Sequence, residues 1–164
     1  MTPFTTVAAD VLSSWLDRHP VDATFAGDHA RDHLLDDPSP GAAAARMDEL
    51  RVQLAAIDSA EPASTDEQID AAVLRTTLRA ELLDLEVLDE SGWDAMIHNP
   101  GSALYGLASR PFAPAATRLE PVRARLAAVP AYLDAARRLT GAESVIVVAD
   151  RPSLISRWFN RTAA

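Results

Sequence analysis

The chain of 164 residues contains no cysteine and no lysine. The first absence excludes disulfides, thiolate zinc sites and cysteine nucleophiles, and the second excludes a Schiff-base nucleophile. No unbroken apolar run approaches about 18 residues, so no spanning helix is expected. The first twenty residues carry Asp10 and Asp17 without a cationic start before an apolar block, which is not the pattern of a secretory signal. A cytoplasmic protein is the resulting expectation. GxSxG, HExxH and glycine-rich phosphate loops are also missing, so no familiar catalytic motif presents itself.

What remains is the composition of a globular core, 48% apolar and 24% charged, at a length that suits one domain. The charge is unevenly placed. Residues 1–109 hold 6 Arg against 20 Asp and Glu, a balance of −14, and residues 110–164 hold 9 Arg against 4 acids, a balance of +5. Segments of opposite sign in one small chain attract each other, and the acidic segment repels phosphate. No nucleic-acid partner and no membrane partner is expected.

Helical periodicity dominates, and the fold class expected is all-α, an irregular multi-helix bundle. Phe4, Val7, Ala8, Val11 and Trp15 place a helix from about residue 5 to Arg18, ended by His19-Pro20 because the residue before proline avoids the helical region. Pro20 opens a short turn through Phe25 that Gly27 stops. Residues 28–40 read as an acidic loop anchored by Leu34 and Leu35. Ser39-Pro40 starts a helix whose stripe is Met47, Leu50, Leu54 and Ile57. Ser64 with Glu67, or Thr65 with Gln68, fits a capping box.

The long helix that follows, about 66–90, has apolar residues on two sides. Ala71, Leu74, Leu78, Leu82, Leu85 and Leu88 fall on one, and Ile69, Val73, Ala80, Leu83 and Val87 on the other. Two apolar faces call for cover on both, which predicts a central helix. Ser91-Gly92 is its expected stop, and Trp93, Met96 and Ile97 are expected to plug the core from a short turn. Ala103, Leu104 and Leu107 mark another short helix. Val122 to Ala136 keep helical phase through Pro130, which predicts one kinked helix over 120–140 closed by Gly141. Residues 145–149 read as a short strand, and 152–161 as a last helix.

Five residues stand out as candidates for chemistry. His29 and His33, four apart among Asp28, Asp32, Asp36 and Asp37, have the spacing of two metal ligands on a helix, with His98 as a third; the plainer reading is an exposed loop whose histidines pair with carboxylates. Asp94 and His98 repeat the spacing in a turn that reads as structural. Glu81 is a carboxylate on an apolar face, and a buried charge needs a partner, here expected to be Arg123 or Arg125. The alternative is an acid/base group lining a cleft. No catalytic or cofactor-binding residue follows from these patterns.

Three stretches, in order, carry a family resemblance. HPVDATFAGDHARDHLLDDPSP (19–40), WDAMIHNPGSALYGL (93–107) and LEPVRARLAAVPAYLDAARRL (119–139) resemble landmarks of the bacterial domain-of-unknown-function 885 family. The resemblance spans about residues 5–141. It implies the N-terminal part of a largely helical, zinc-peptidase-like fold whose HExxPGHH motif lies in a C-terminal half that these residues do not include. Zinc is thereby implied only for full-length relatives, and no metal or catalytic residue carries across. The division expected is a helical domain at 1–141 and a divergent tail at 142–164, as in a truncated or rearranged product. The functional expectation is a non-hydrolytic interaction or scaffolding piece, with a small metal-dependent bundle enzyme using His29, His33 and His98 as the alternative. Its partner would be a second copy of itself, through the uncovered face of helix 66–90, or a separate C-terminal half.

Overall fold

Local punctuation sets most helix ends in the computed structural model, which describes residues 2–140. Helix α1 spans Phe4–Arg18 and α2 spans Pro20–Ala26. The proline starts α2 at the position where its missing N–H costs nothing, and Gly27 ends it with φ 92°, a left-handed conformation that glycine tolerates. A single 3-10 turn, His29–Arg31, follows inside the acidic loop, capped by the Asp28 side chain. Helix α3 spans Pro40–Ser59 and begins with the Ser39 hydroxyl accepting from the Ala42 N–H.

Helix α4 spans Thr65–Leu83, with Ser64 Oγ accepting from the Glu67 N–H and the Glu67 carboxylate reaching back to the N–H of Ala63. It does not run on as a regular helix to residue 90. A π turn over Asp84–Leu88 inserts an extra residue, and Asp89 then takes φ 46° and breaks the helix two residues before Ser91. The short α5 (Glu90–Trp93), α6 (Gly101–Ser109) and the long α7 (Ala115–Thr140) complete the described residues. Helix α7 is continuous through Pro121 and Pro130, as the phase of its apolar residues demanded, and starts five residues earlier than expected. The expected strand at 145–149, the helix at 152–161 and the Gly141 cap lie outside the described residues.

Left-handed backbone suits glycine better than aspartate, whose Cβ crowds the following carbonyl. Asp89→Gly is therefore expected to raise the unfolding free energy by about 0.5–1 kcal/mol, read from a urea midpoint at unchanged slope.

The helices pack as two groups. Helices α1, α3 and α4 close on a core of Phe4, Val7, Val11, Leu50, Ile57, Ala71 and Leu78, with Leu74, Leu82 and Leu85 against it. Helix α7 packs on α6, and α6 on α2, with Ala23, Ala103, Leu107 and Ala136 buried. Helix α2 leads directly from α1, so residues 19–24 join the groups.

Three expectations change here. Only one face of α4 is covered among the described residues: Ile69, Val73, Leu83 and Val87 each leave more than half their surface to solvent, as does Leu88 on the other side. Helices α1 and α3 both lie on the Leu78 side, and no other described helix packs on the opposite one. Trp93, Met96 and Ile97 are likewise exposed and do not plug the core; His98 takes the buried place. Leu34 is exposed as well, and its backbone carbonyl is what anchors the acidic loop. No helix among the described residues is long and apolar enough to cross a membrane.

Candidate functional site

Two buried polar networks hold most of the titratable side chains that are not solvated. The first lies between α1, α3 and α4. The buried stripe of α3 is Arg46, Leu50, Gln53 and Ile57, so two polar residues run in phase with two apolar ones. Arg46 grips Glu81 of α4 with both prongs of its guanidinium, Nε to Oε1 at 2.6 Å and Nη2 to Oε2 at 2.8 Å. Its Nη1 lies 3.3 Å from both Gln53 Oε1 and Glu49 Oε2. Glu49 also accepts from the Ser14 hydroxyl and, at 3.1 Å, from Arg18 Nε. His19 Nε2 sits 3.5 Å from Glu81 Oε1 with no closer partner.

Burial alone would discourage ionisation of Glu81, but the hydrogen bonds and charges of Arg46 and His19 outweigh it and hold the carboxyl down at about 2. Glu49 is lowered in the same way, with burial opposed by the Ser14 and Arg46 hydrogen bonds. Glu81 thus has its partner on α3. The expected partners are elsewhere: Arg123 is exposed and paired with Glu120 on its own helix, and Arg125 is buried in the second network. A carboxylate this strongly ionised and bidentately held has no proton to give at neutral pH and is a poor base.

The second network centres on Arg125, a fully buried side chain of α7. Its guanidinium donates to the carbonyls of Leu34 (2.8 Å), Ala103 (2.7 Å) and Pro20 (3.2 Å) and to Thr24 Oγ1 (2.8 Å). One side chain therefore joins α7 to α6, to α2 and to the acidic loop. The Thr24 hydroxyl in turn donates to buried Asp32 at 2.6 Å. Asp36 accepts from the Val21 N–H, and its carboxyl is raised mainly by burial. Burial lowers Arg125 itself, against the charges of Asp32 and Asp36 that favour its cation. Tyr132 on the same helix is pushed up to about 12 by burial and by the Asp36 charge.

The histidines do not converge. His29 Nδ1 pairs with Asp32 at 2.9 Å while its ring stacks on Phe112 at 3.7 Å between centroids. His33 is exposed. His98 is buried, with Nε2 2.8 Å from the Ser91 carbonyl, which makes that nitrogen the donor, and with Tyr132 edge-on to the ring. Asp94 caps the Met96 N–H instead of meeting His98. Among the described residues no group of three or more His, Asp and Glu side chains is arranged to hold a metal ion, so the residues present do not fit the zinc that the resemblance implies for longer relatives. The plainer reading of the acidic loop describes His29, which pairs with a carboxylate.

Sequence reasoning singled out Glu81 and missed Arg46, Glu49 and His19. The signal that could have found Arg46 is its phase with Leu50 and Ile57. Arg125 was named only as a partner for Glu81; its real acceptors are three backbone carbonyls and a hydroxyl.

Comparison with known proteins gives two matches. A family model described as "Bacterial protein of unknown function (DUF885)" matches residues 20–152. A solved structure of a candidate lipoprotein of unknown function from Shewanella oneidensis superposes with a TM-score of 0.79 at 23% identity, over 86% of this chain and 26% of that one. At that identity the likeness is one of fold. No curated protein matches the chain.

Proposed function

Because the chain belongs to the bacterial DUF885 family of unknown function, we propose that residues 2–140 are the N-terminal helical portion of that fold and serve as an interaction or scaffolding piece without hydrolytic activity of their own. The observation that carries this reading is the bare apolar face of α4, an exposed run of Ile69, Val73, Leu83 and Val87 on an otherwise well-packed helix. Three further features support it. The chain spans about a quarter of the length of the solved relative. The carboxylates of Glu81 and Asp32 are tied up in an ion pair and a hydrogen bond, and its histidines are held apart. The peptidase-like chemistry that the resemblance implies needs the HExxPGHH motif, which does not occur in this sequence.

The purified chain, supplied with zinc and a panel of fluorogenic peptides, is expected to show no hydrolysis above buffer. Turnover that a chelator abolishes and zinc restores would overturn the proposal.

A further inference from the structure

The exposed face of α4 has an internal order that singles out one occupant. Its positions are Ile69, Val73, Thr76, Ala80, Leu83 and Val87, all exposed, and the steps between them alternate four and three. Within α4 that is the heptad spacing of a coiled-coil seam, sustained from Ile69 to Leu83 over about 21 Å of helix, and the π turn that follows adds a residue and carries Val87 out of the regular phase. A seam of this kind is filled by another helix. The hydroxyl of Thr76, the one polar group in it, already donates to the Ala72 carbonyl at 2.8 Å, so covering the seam leaves no orphan donor.

We propose that α4 pairs with α4 of a second copy of this chain as a parallel two-stranded seam. This rests on the reading of the chain as an interaction piece and names its partner. In heptad terms Val73 and Ala80 take the a positions and Ile69, Thr76 and Leu83 take d, with Val87 beyond the regular register in the π turn. The rims decide the direction. In a parallel pair exposed Arg79 at g faces Asp84 at e of the second copy, on both sides of the seam. An antiparallel pair would set Asp70 against Asp84 and Arg79 against Arg79.

The experiment is sedimentation of the full chain at tens of micromolar, with three variants. The unaltered chain is expected to be a dimer. Leu83→Glu, at an exposed position that leaves the core untouched, is expected to weaken dimerisation about a hundredfold or more, because symmetry places two charges in the seam, while circular dichroism stays unchanged. Leu83→Cys, in a chain without cysteine, is expected to form a covalent dimer on mild oxidation, and Val52→Cys, on the exposed side of α3, is not. A monomer, including one whose α4 face is protected by residues beyond 140, would overturn the proposal. So would a dimer indifferent to Leu83→Glu, or one that Leu83→Cys fails to lock. Peptide hydrolysis by a dimer would sink the non-hydrolytic reading and leave the seam standing, so the two failures are distinguishable.

Discussion

Arg125→Met is expected to lower the unfolding free energy by about 4 kcal/mol, the cost typical of leaving buried polar partners without their charge. The substitution nearly conserves volume, so little of the effect would come from a cavity. What it removes is the donor set for the carbonyls of Leu34, Ala103 and Pro20 and for the Thr24 hydroxyl. The acceptors sit on three separate elements, the acidic loop, α6 and α2, and none gains a substitute from methionine. Asp32, buried and hydrogen-bonded to Thr24, would also lose the neighbouring positive charge. Since a chain of this size has only about 5–15 kcal/mol of stability, the variant could lose half of it. The comparison that isolates the mechanism is Arg123→Met, two residues away on the same helix. That side chain is exposed and pairs with Glu120 at i,i+3, an arrangement worth a few tenths of a kcal/mol or less. Urea unfolding of both variants reads the difference. Equal effects would mean that Arg125 matters through helix propensity or net charge and that the carbonyl clamp is irrelevant.

Much of the backbone was legible because its signals are local. Proline at 20 and 40, glycine at 27 and serine at 39 and 64 act on their own turns, and each sits where the expected boundary falls. The course of α7 through Pro130 was legible too, since a helical phase maintained on both sides of a proline survives the loss of one hydrogen bond. The end of α4 was not, because a π turn and a left-handed aspartate leave no composition signal of their own, whereas Ser91-Gly92 nearby does. The candidate site divides the same way. That Glu81 must be partnered follows from its position on an apolar face, but which arginine partners it depends on which helix packs there. Helix α3 packs on α4, and α7 packs on α6, so Arg46 reaches Glu81 and Arg125 does not. Backbone carbonyls, the acceptors of Arg125, carry no residue identity at all and lie 22 to 105 residues away in sequence.

The other large effect expected is a pH-dependent one at Glu81. Its folded-state value of about 2 lies below the usual 4.5, so the ionised carboxylate favours the folded state. The corresponding stability is fully present above about pH 5 and is lost as the pH falls through 4.5 toward 2, and its size is on the order of 3 kcal/mol. Glu49 is shifted in the same sense and adds to the acid loss. Asp36 works against it: its raised value means that ionisation costs the folded state, and protonation on acidification relieves that cost. Glu81→Gln separates these contributions, because the amide keeps the shape and one acceptor but resembles the protonated acid at every pH. At pH 7 the variant is expected to be less stable than the parent by about 3 kcal/mol, since Arg46 would face a neutral group in a mostly buried position. Near pH 2.5, where the parent's own Glu81 is partly protonated, the gap is expected to shrink to about 1 kcal/mol. Parallel urea titrations at pH 7, 4 and 2.5 measure it. A gap that stays constant across that range would show that Glu81 contributes through packing and hydrogen bonding, and that the ion pair with Arg46 adds nothing to the stability of the fold.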